Sequence, residues 1–223
     1  METLSQGPTL AEQAYGAILQ AICEGRLAPG APLRQQEIAK NLNVSRNPVA
    51  QALLKLKYQN FAREDRRGLT VAPLDPVFFH AIYQFRSVID PLAAELACKN
   101  ITPKAITEGN RILWASERAL STGTVPKLIE IDMEFHMLIY RLSGNYLIEE
   151  TMELYWNHLR RGMREVLRHR DYQPNVCREH AAIFSAINSG DVAEARQLSL
   201  EHIQAAATLI PPALSKLSEK GGA

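Results

Sequence analysis

Asp132, His136, His180 and His202 supply one carboxylate and three imidazoles, the side chains that ligate a divalent ion. Any one of these histidines taken alone reads as a surface or hydrogen-bonded residue. As a set they ask for a metal, and geometry alone leaves the ion and the bland reading evenly matched. Neutral imidazoles with a carboxylate suit zinc first, with nickel, iron or manganese as alternatives. The lack of thiolate among them argues against a purely structural cysteine-type zinc site. Asp132 and His136 are four apart on an apolar-faced helix (Ile131, Phe135, Leu138, Ile139, Leu142), which stacks both on one side. On a single helix His180 and His202 would stand about 33 Å apart. The Ser189-Gly190-Asp191 break instead folds them into a hairpin, each about 14 to 16 Å from the turn, at matching heights.

Positioning those groups requires a helical scaffold. The periodicity predicts helices near 76–99, 103–121, 125–142, 146–169, 174–188 and 191–209, with Pro91 kinking the first. Asp75 caps the first helix, and Pro76 falls in its opening turn. Breaks fall at Ser143-Gly144-Asn145, Asp171 to Pro174, and Ser189-Gly190-Asp191. Residues 77–210 therefore read as an all-α bundle.

Ahead of it, residues 9–72 follow another pattern. Thr9-Leu10-Ala11-Glu12 is a capping box opening a helix that buries Ala14, Ile18, Ala21 and Ile22 and ends at Gly25. A short helix over Gln35–Leu42 stops at Asn43, which tolerates a left-handed turn. Ser45 caps a third helix, with Pro48 in its first turn, running to about Tyr58. A hairpin follows, Phe61 to Arg63 pairing with Leu69 to Val71 across a tip of Glu64 to Gly68. Helix, short helix, tight turn, helix and two-stranded wing is the order that presents one helix to a DNA major groove. Ser45, Arg46, Asn47 and Gln51 would meet bases and phosphates, and Arg66, Arg67 and Gly68 the minor groove or phosphates at the wing tip; Arg34 and Gln36 are further candidates for DNA contact. The fold class expected is mainly α, a winged helix-turn-helix followed by a helical bundle, joined through Pro73-Leu74-Asp75-Pro76.

Composition agrees with an ordinary soluble protein. Of 223 residues, 46% are hydrophobic and 22% charged, and no stretch approaches the roughly 20 apolar residues of a membrane span. The N-terminus does not read as a signal peptide. Net charge is +1, but residues 1–72 hold nine Lys/Arg against six Asp/Glu, whereas 73–223 hold sixteen against eighteen. That bias suits a nucleic-acid contact, although a solvated charged surface explains it as well. Cys23, Cys98 and Cys177 are widely spaced and odd in number, predicting reduced core thiols in the cytoplasm rather than disulfides or ligands. His80, His158 and His169 have no partner at ligand spacing and are assigned to surface or packing; Trp114, Tyr155 and Trp156 are assigned to core or pocket wall.

Two resemblances sharpen this reading. Ile22 through Gly25, Pro29-Gly30, Leu33, Ile38-Ala39 and Val44-Ser45-Arg46-Asn47-Pro48-Val49 with Ala52-Leu53 and Leu56 resemble the GntR family of bacterial regulators. Ala50-Gln51 replaces the Arg-Glu usual there, shifting operator reading toward Arg46, Gln51 and the wing, and Asn60 stands where the family has Gly. Arg86-x-x-Ile89-Asp90, Ala93-Ala94, Leu96-Ala97, Asp132-x-x-Phe135-His136, Ser143-Gly144-Asn145, His180, Ala186-Ile187, Gly190-Asp191 and His202 resemble the FCD effector domain of the FadR-type branch. Asp90 stands where that domain commonly has Glu.

The resemblance implies that Asp132, His136, His180 and His202 bind a divalent metal whose coordination a small organic acid completes. Arg86 is then the candidate for the acid's carboxylate, through a bidentate pair. Asn145 and Asn157, with Arg141 and Arg161, are further candidates for the pocket. A homodimer on a palindromic double-stranded operator, half-sites about 34 Å apart, is also implied. Two other readings stand beside this one. A metalloenzyme would need a base, and only Glu134 and Glu179 adjoin the ligands, each expected to point off the ligand face. A metal sensor would respond to the ion alone.

Overall fold

A computed structural model describes residues 7–66, 68–167 and 175–221 of the chain. The chain divides into two compact units, Met1–Leu74 and Asp75–Ala223.

In the first unit, α1 (Leu10–Cys23) opens on a reciprocal capping box, with Glu12 N–H donating to Thr9 Oγ1 (3.2 Å) and Thr9 N–H to Glu12 Oε2 (2.7 Å). Its apolar face, Ala14, Ile18, Ala21 and Ile22, packs on α3 (Arg46–Tyr58), which buries Val49, Ala52, Leu53 and Leu56. Between them α2 (Gln35–Leu42) ends on Asn43 in the left-handed conformation, φ 52°. Ser45 occupies the N-cap position of α3, but its hydroxyl makes no capping hydrogen bond, contrary to expectation. The start of α3 is tied instead to α2, where Gln35 Nε2 donates to the Arg46 carbonyl (2.8 Å).

The wing is tighter than the sequence suggests. Strand β1 (Ala62–Asp65) pairs antiparallel with β2 (Gly68–Val71) right up to Asp65↔Gly68. The expected five-residue tip shrinks because Glu64 and Asp65 join the ladder and Gly68, at φ 100°, accepts the backbone reversal that closes it. Arg67 lies outside the described residues.

The second unit holds six helices among the described residues: α4 (Pro76–Asn100), α5 (Pro103–Thr122), α6 (Val125–Leu142), α7 (Tyr146–Leu167), α8 (Asn175–Ser189) and α9 (Val192–Gly221). Asp75 caps α4 by accepting from Val77 N–H (2.9 Å). Helix α6 lies between α5 and α7 and against α4, while α8 and α9 form the antiparallel hairpin. Phe135, Met152, Trp156, Leu159, Ile183 and Ile187 fill the core. Two glycines allow close helix approach. A Cβ on Gly109 would fall 2.0 Å from the Phe184 ring, and one on Gly162 2.2 Å from Phe79.

Helix α9 continues well past the expected end at 209, straight through Pro211 and Pro212. The two prolines remove helical hydrogen bonds, at a cost of about 3 kcal/mol for one in a helix interior. Ile210, Pro211, Ala213 and Leu214 are nevertheless buried, and α9 packs extensively on α4. Apolar burial on this scale outweighs the lost bonds. Among the described residues no helix is long and apolar enough to cross a membrane.

Candidate metal centre and nucleic-acid surface

Helix α6 carries Asp132 and His136 on one side, α8 carries His180 and α9 carries His202. Helix α4 packs on all three, and the imidazoles meet in the interior, where each is at most 7% exposed. His202 Nε2 lies 3.2 Å from His136 Nε2 and 3.3 Å from His180 Nε2. Asp132 Oδ1 is 3.5 Å from His180 Nε2. Candidate ligand atoms of the three histidines all lie within 4.8 Å of one another.

The rings are held by their surroundings. Phe135 stacks on His180 with centroids 4.0 Å apart, and Trp156 packs on His136 at 5.2 Å. Burial pushes the His136 pKa well below its usual value, and the Arg86 guanidinium and the other two imidazoles push further in the same direction. Burial, then His202 and Arg86, does the same to His180. Both rings are therefore held neutral, the form in which a nitrogen lone pair is available.

Two carboxylates to which the sequence assigned no part in the cluster complete the setting. Glu179 was expected to point off the ligand face. Its side chain turns inward instead, placing Oε2 2.7 Å from His202 Nδ1. One residue before His180 on α8, it is separated from that face by about 100° of rotation, and its length lets it reach back to α9. Glu134 does point away and pairs with Arg111 (2.9 Å).

Asp90 is the second. It accepts from Arg86 Nη2 (2.8 Å) and Nε (3.2 Å) through one oxygen, and from Tyr140 O–H (2.8 Å) through the other. Burial pulls the Arg86 pKa down, but Asp90 and the phenols of Tyr140 and Tyr83 more than offset it, so the cation is firmly held. Its guanidinium lies over the Trp156 ring (4.9 Å) with Nη2 3.3 Å from His136 Nδ1. The i,i+4 spacing of Arg86 and Asp90 was the available signal for this pair. Tyr140, four residues beyond His136, carried no comparable mark.

A cavity of about 330 Å³ opens onto these groups, with Arg86, Asp132, His136, Glu179 and His202 among its lining residues. Asn145 and Asn157 are not in its lining. Asn145 caps α7, its Oδ1 accepting from Leu147 N–H (3.2 Å), and Asn157 Nδ2 donates to the Glu153 carbonyl one turn earlier. Arg141 is exposed and Arg161 buried, both outside the lining. Trp114, expected in core or pocket wall, is 59% exposed beneath Arg118, whereas Trp156 is fully buried. His80 is exposed, His158 is packed edge-on to Phe78, and His169 falls outside the described residues. Cys23 and Cys177 are buried and unbridged, but Cys98, expected in the core, is only half-buried.

In the first unit, Arg34, Gln36, Ser45, Arg46, Asn47, Gln51, Arg66 and Gly68 are all exposed. Arg34 pairs with Glu37 (2.9 Å). Arg46 and Asn47 stand in the first turn of α3, where free backbone N–H groups and the helix dipole favour phosphate.

Residues 10–71 match the model of the bacterial regulatory proteins of the gntR family, and residues 81–205 match that of the FCD domain. The chain belongs to the GntR family, in its FCD branch. It is a DNA-binding transcriptional regulator with an FCD effector domain. Among curated relatives, the HTH-type transcriptional regulator YdhC of Bacillus subtilis is 26% identical over 193 residues, 85% of this chain and 86% of its own. McbR of Escherichia coli is 27% identical over 157 residues, 70% of each chain. Among solved structures, E. coli McbR/YncC superposes with TM-score 0.80 at 22% identity, over 92% of this chain and 98% of its own. A GntR regulator from Rhodococcus sp. RHA1 gives 0.76 at 21%, over 90% and 96%. These structural likenesses establish the shared fold.

Proposed function

We propose that this GntR regulator holds a divalent metal on His136, His180 and His202, with Asp132 beside them, and that a small carboxylate reaching the ion and Arg86 modulates operator binding. The convergence of three buried imidazole nitrogens carries the reading. Zinc–imidazole bonds of about 2.0 to 2.1 Å at tetrahedral angles require nitrogens roughly 3.3 to 3.4 Å apart. The separations of 3.2 and 3.3 Å fit. Three neutral nitrogen donors without thiolate suit zinc and also admit nickel, iron or manganese. When bound, the ion supplies positive charge and open coordination positions among the charged groups of the cavity.

Arg86 faces the same cavity and offers an anion a fixed, permanently charged partner. Glu179 is engaged by His202, which favours a regulatory over a catalytic use of the centre, since the nearest carboxylate is already occupied in orienting a ring. Dimers reading a palindromic operator follow from the winged module, whose Arg46, Asn47 and Gln51 would contact bases while Arg34, Gln36, Ser45, Arg66, Arg67 and Gly68 hold the backbone. Residues 9–72 form that module and 77–210 the effector and dimerisation domain. A ligand shifts the operator equilibrium only as far as its affinities for the two states differ.

The test pairs elemental analysis with a mobility-shift assay on DNA flanking the protein's own gene. Wild type carries about one metal per chain and responds to an organic acid. His136→Ala loses most of the metal yet still binds DNA without effector. Full metal occupancy in His136→Ala removes the proposed ligand set. A shift governed by metal alone, with no acid effective, turns the protein into a sensor of the ion.

A further inference from the structure

Resting on the reading of the cavity as a carboxylate site, the distribution of chemistry along its walls narrows the effector. The charged and metal-ligating groups of the lining, Arg86, Asp132, His136, Glu179 and His202, form one cluster joined by short contacts through the three imidazoles. The rest of the wall is mostly apolar, Met163 and Leu167 from α7, Val176 from α8, and Ala206, Leu209 and Ile210 from α9, with the polar side chains of Tyr83, Asn175 and Thr208 set among them.

Charge points the same way. With a divalent ion bound, its two positive charges and that of Arg86 are already matched by the three carboxylates of Asp90, Asp132 and Glu179. Asp132 and Glu179 are anions on the same wall. A second carboxylate on the effector would meet these anions or the apolar wall. Burying an unpaired charge against hydrocarbon is strongly unfavourable.

Size sets the remaining limit. The 330 Å³ cavity is near the low end of ligand pockets, about 300 to 1,000 Å³. We infer that the effector is a compact monocarboxylate with an apolar tail, its head at Arg86 and the histidines and its tail along Met163, Leu167, Val176, Ala206, Leu209 and Ile210. Di- and tricarboxylates and polyhydroxylated acids are the classes it disfavours.

Titration calorimetry on the full-length, zinc-loaded protein tests this with acetate, hexanoate, succinate, citrate and the neutral hexanamide. Each buried methylene strengthens binding about fourfold, so hexanoate, with four more carbons than acetate, is expected to bind at least tenfold tighter. It should also bind tighter than succinate or citrate, and hexanamide should bind at least tenfold more weakly than hexanoate. Ala206→Leu, which narrows the cavity one helical turn from His202, should lose at least tenfold for hexanoate. The acid series on the native protein stands independently of that variant's folding. Equal affinity for acetate and hexanoate, or tighter binding of succinate or citrate, overturns the apolar-tail assignment and leaves the carboxylate site standing. No binding by any acid overturns the carboxylate site, and the tail assignment with it.

Discussion

Glu179 Oε2 lies 2.7 Å from His202 Nδ1, so the carboxylate fixes which imidazole nitrogen faces the other two histidines. With Nδ1 as donor, the Nε2 lone pair points toward the rings of His136 and His180. A carboxylate behind a ligating imidazole orients the ring and raises its basicity, and losing one typically costs 10- to 100-fold in metal affinity. Glu179→Ala should therefore weaken zinc binding by about that factor, measured by competition with a chelating dye. Glu179→Gln, which keeps an acceptor but not the charge, should fall between. Wild-type affinity in Glu179→Ala would reduce the contact to packing.

The chelated protein should lose stability in acid sooner than its carboxylates alone would dictate. His136 and His180 are held neutral when folded, with pKa values pushed well below 6.5, whereas in the unfolded chain they protonate near 6.5. Below that pH the unfolded state binds more protons, so stability falls with pH until the depressed folded values are reached. Two such groups contribute a slope that grows from roughly 1.4 kcal/mol per pH unit at the window's upper edge toward roughly 2.7 about one pH unit below it. Denaturant titrations of metal-free protein between pH 7.5 and 5 would read it. His180→Phe, which removes one group, should flatten the slope by about half.

Arg86 and Asp90 form a buried ion pair at 2.8 Å with side chains 3% and 2% exposed. Removing one member leaves the other charged in the core, a change that costs about 3 to 5 kcal/mol. Asp90→Ala is expected to destabilise the effector domain by that amount in chemical unfolding. The pair Arg86→Met with Asp90→Leu should recover much of the loss, because two apolar side chains of similar volume leave no stranded charge. If Asp90→Ala alone proves neutral, Arg86 has another strong partner inside the bundle.

Most of what a single element or a single turn determines was legible in the sequence of this protein; most of what several packed helices determine together was not. Thr9 and Glu12 announce their capping box, Asn43 its turn, and Asp132 and His136 their shared face, because each signal is local. The meeting of His180 with His202 was also readable, since a single Gly-centred turn fixes the height of both. Glu179 was misjudged because side-chain reach, rather than helical phase, decides where a long carboxylate ends. Tyr140 reaches Asp90, and the apolar side chains from Met163 to Ile210 come to line one cavity, only when α4, α6, α7, α8 and α9 pack together. Pro211 and Pro212 carry the opposite lesson: a strong local stop signal yields when the residues around it are buried.

Asn60 sits at φ 61°, in the left-handed region, just where α3 gives way to the wing. Its N–H donates to the Lys57 carbonyl (3.1 Å), and the Phe61 N–H that follows donates to that of Leu56 (2.9 Å), closing the end of the helix. This is the arrangement that glycine serves best, since it has no Cβ to strain. Asparagine tolerates the conformation at a modest cost, and a β-branched residue does so at about 1 to 2 kcal/mol. Asn60→Gly should therefore leave the unit at least as stable, with a gain of up to about 1 kcal/mol and a melting temperature higher by a few degrees. Asn60→Val should lower stability by about 1 to 2 kcal/mol and weaken DNA binding through a less firmly closed wing. Thermal melts of the three proteins, followed by mobility-shift titrations, separate the cases. A melting temperature for Asn60→Val equal to wild type would mean that the backbone at residue 60 is not held left-handed in solution.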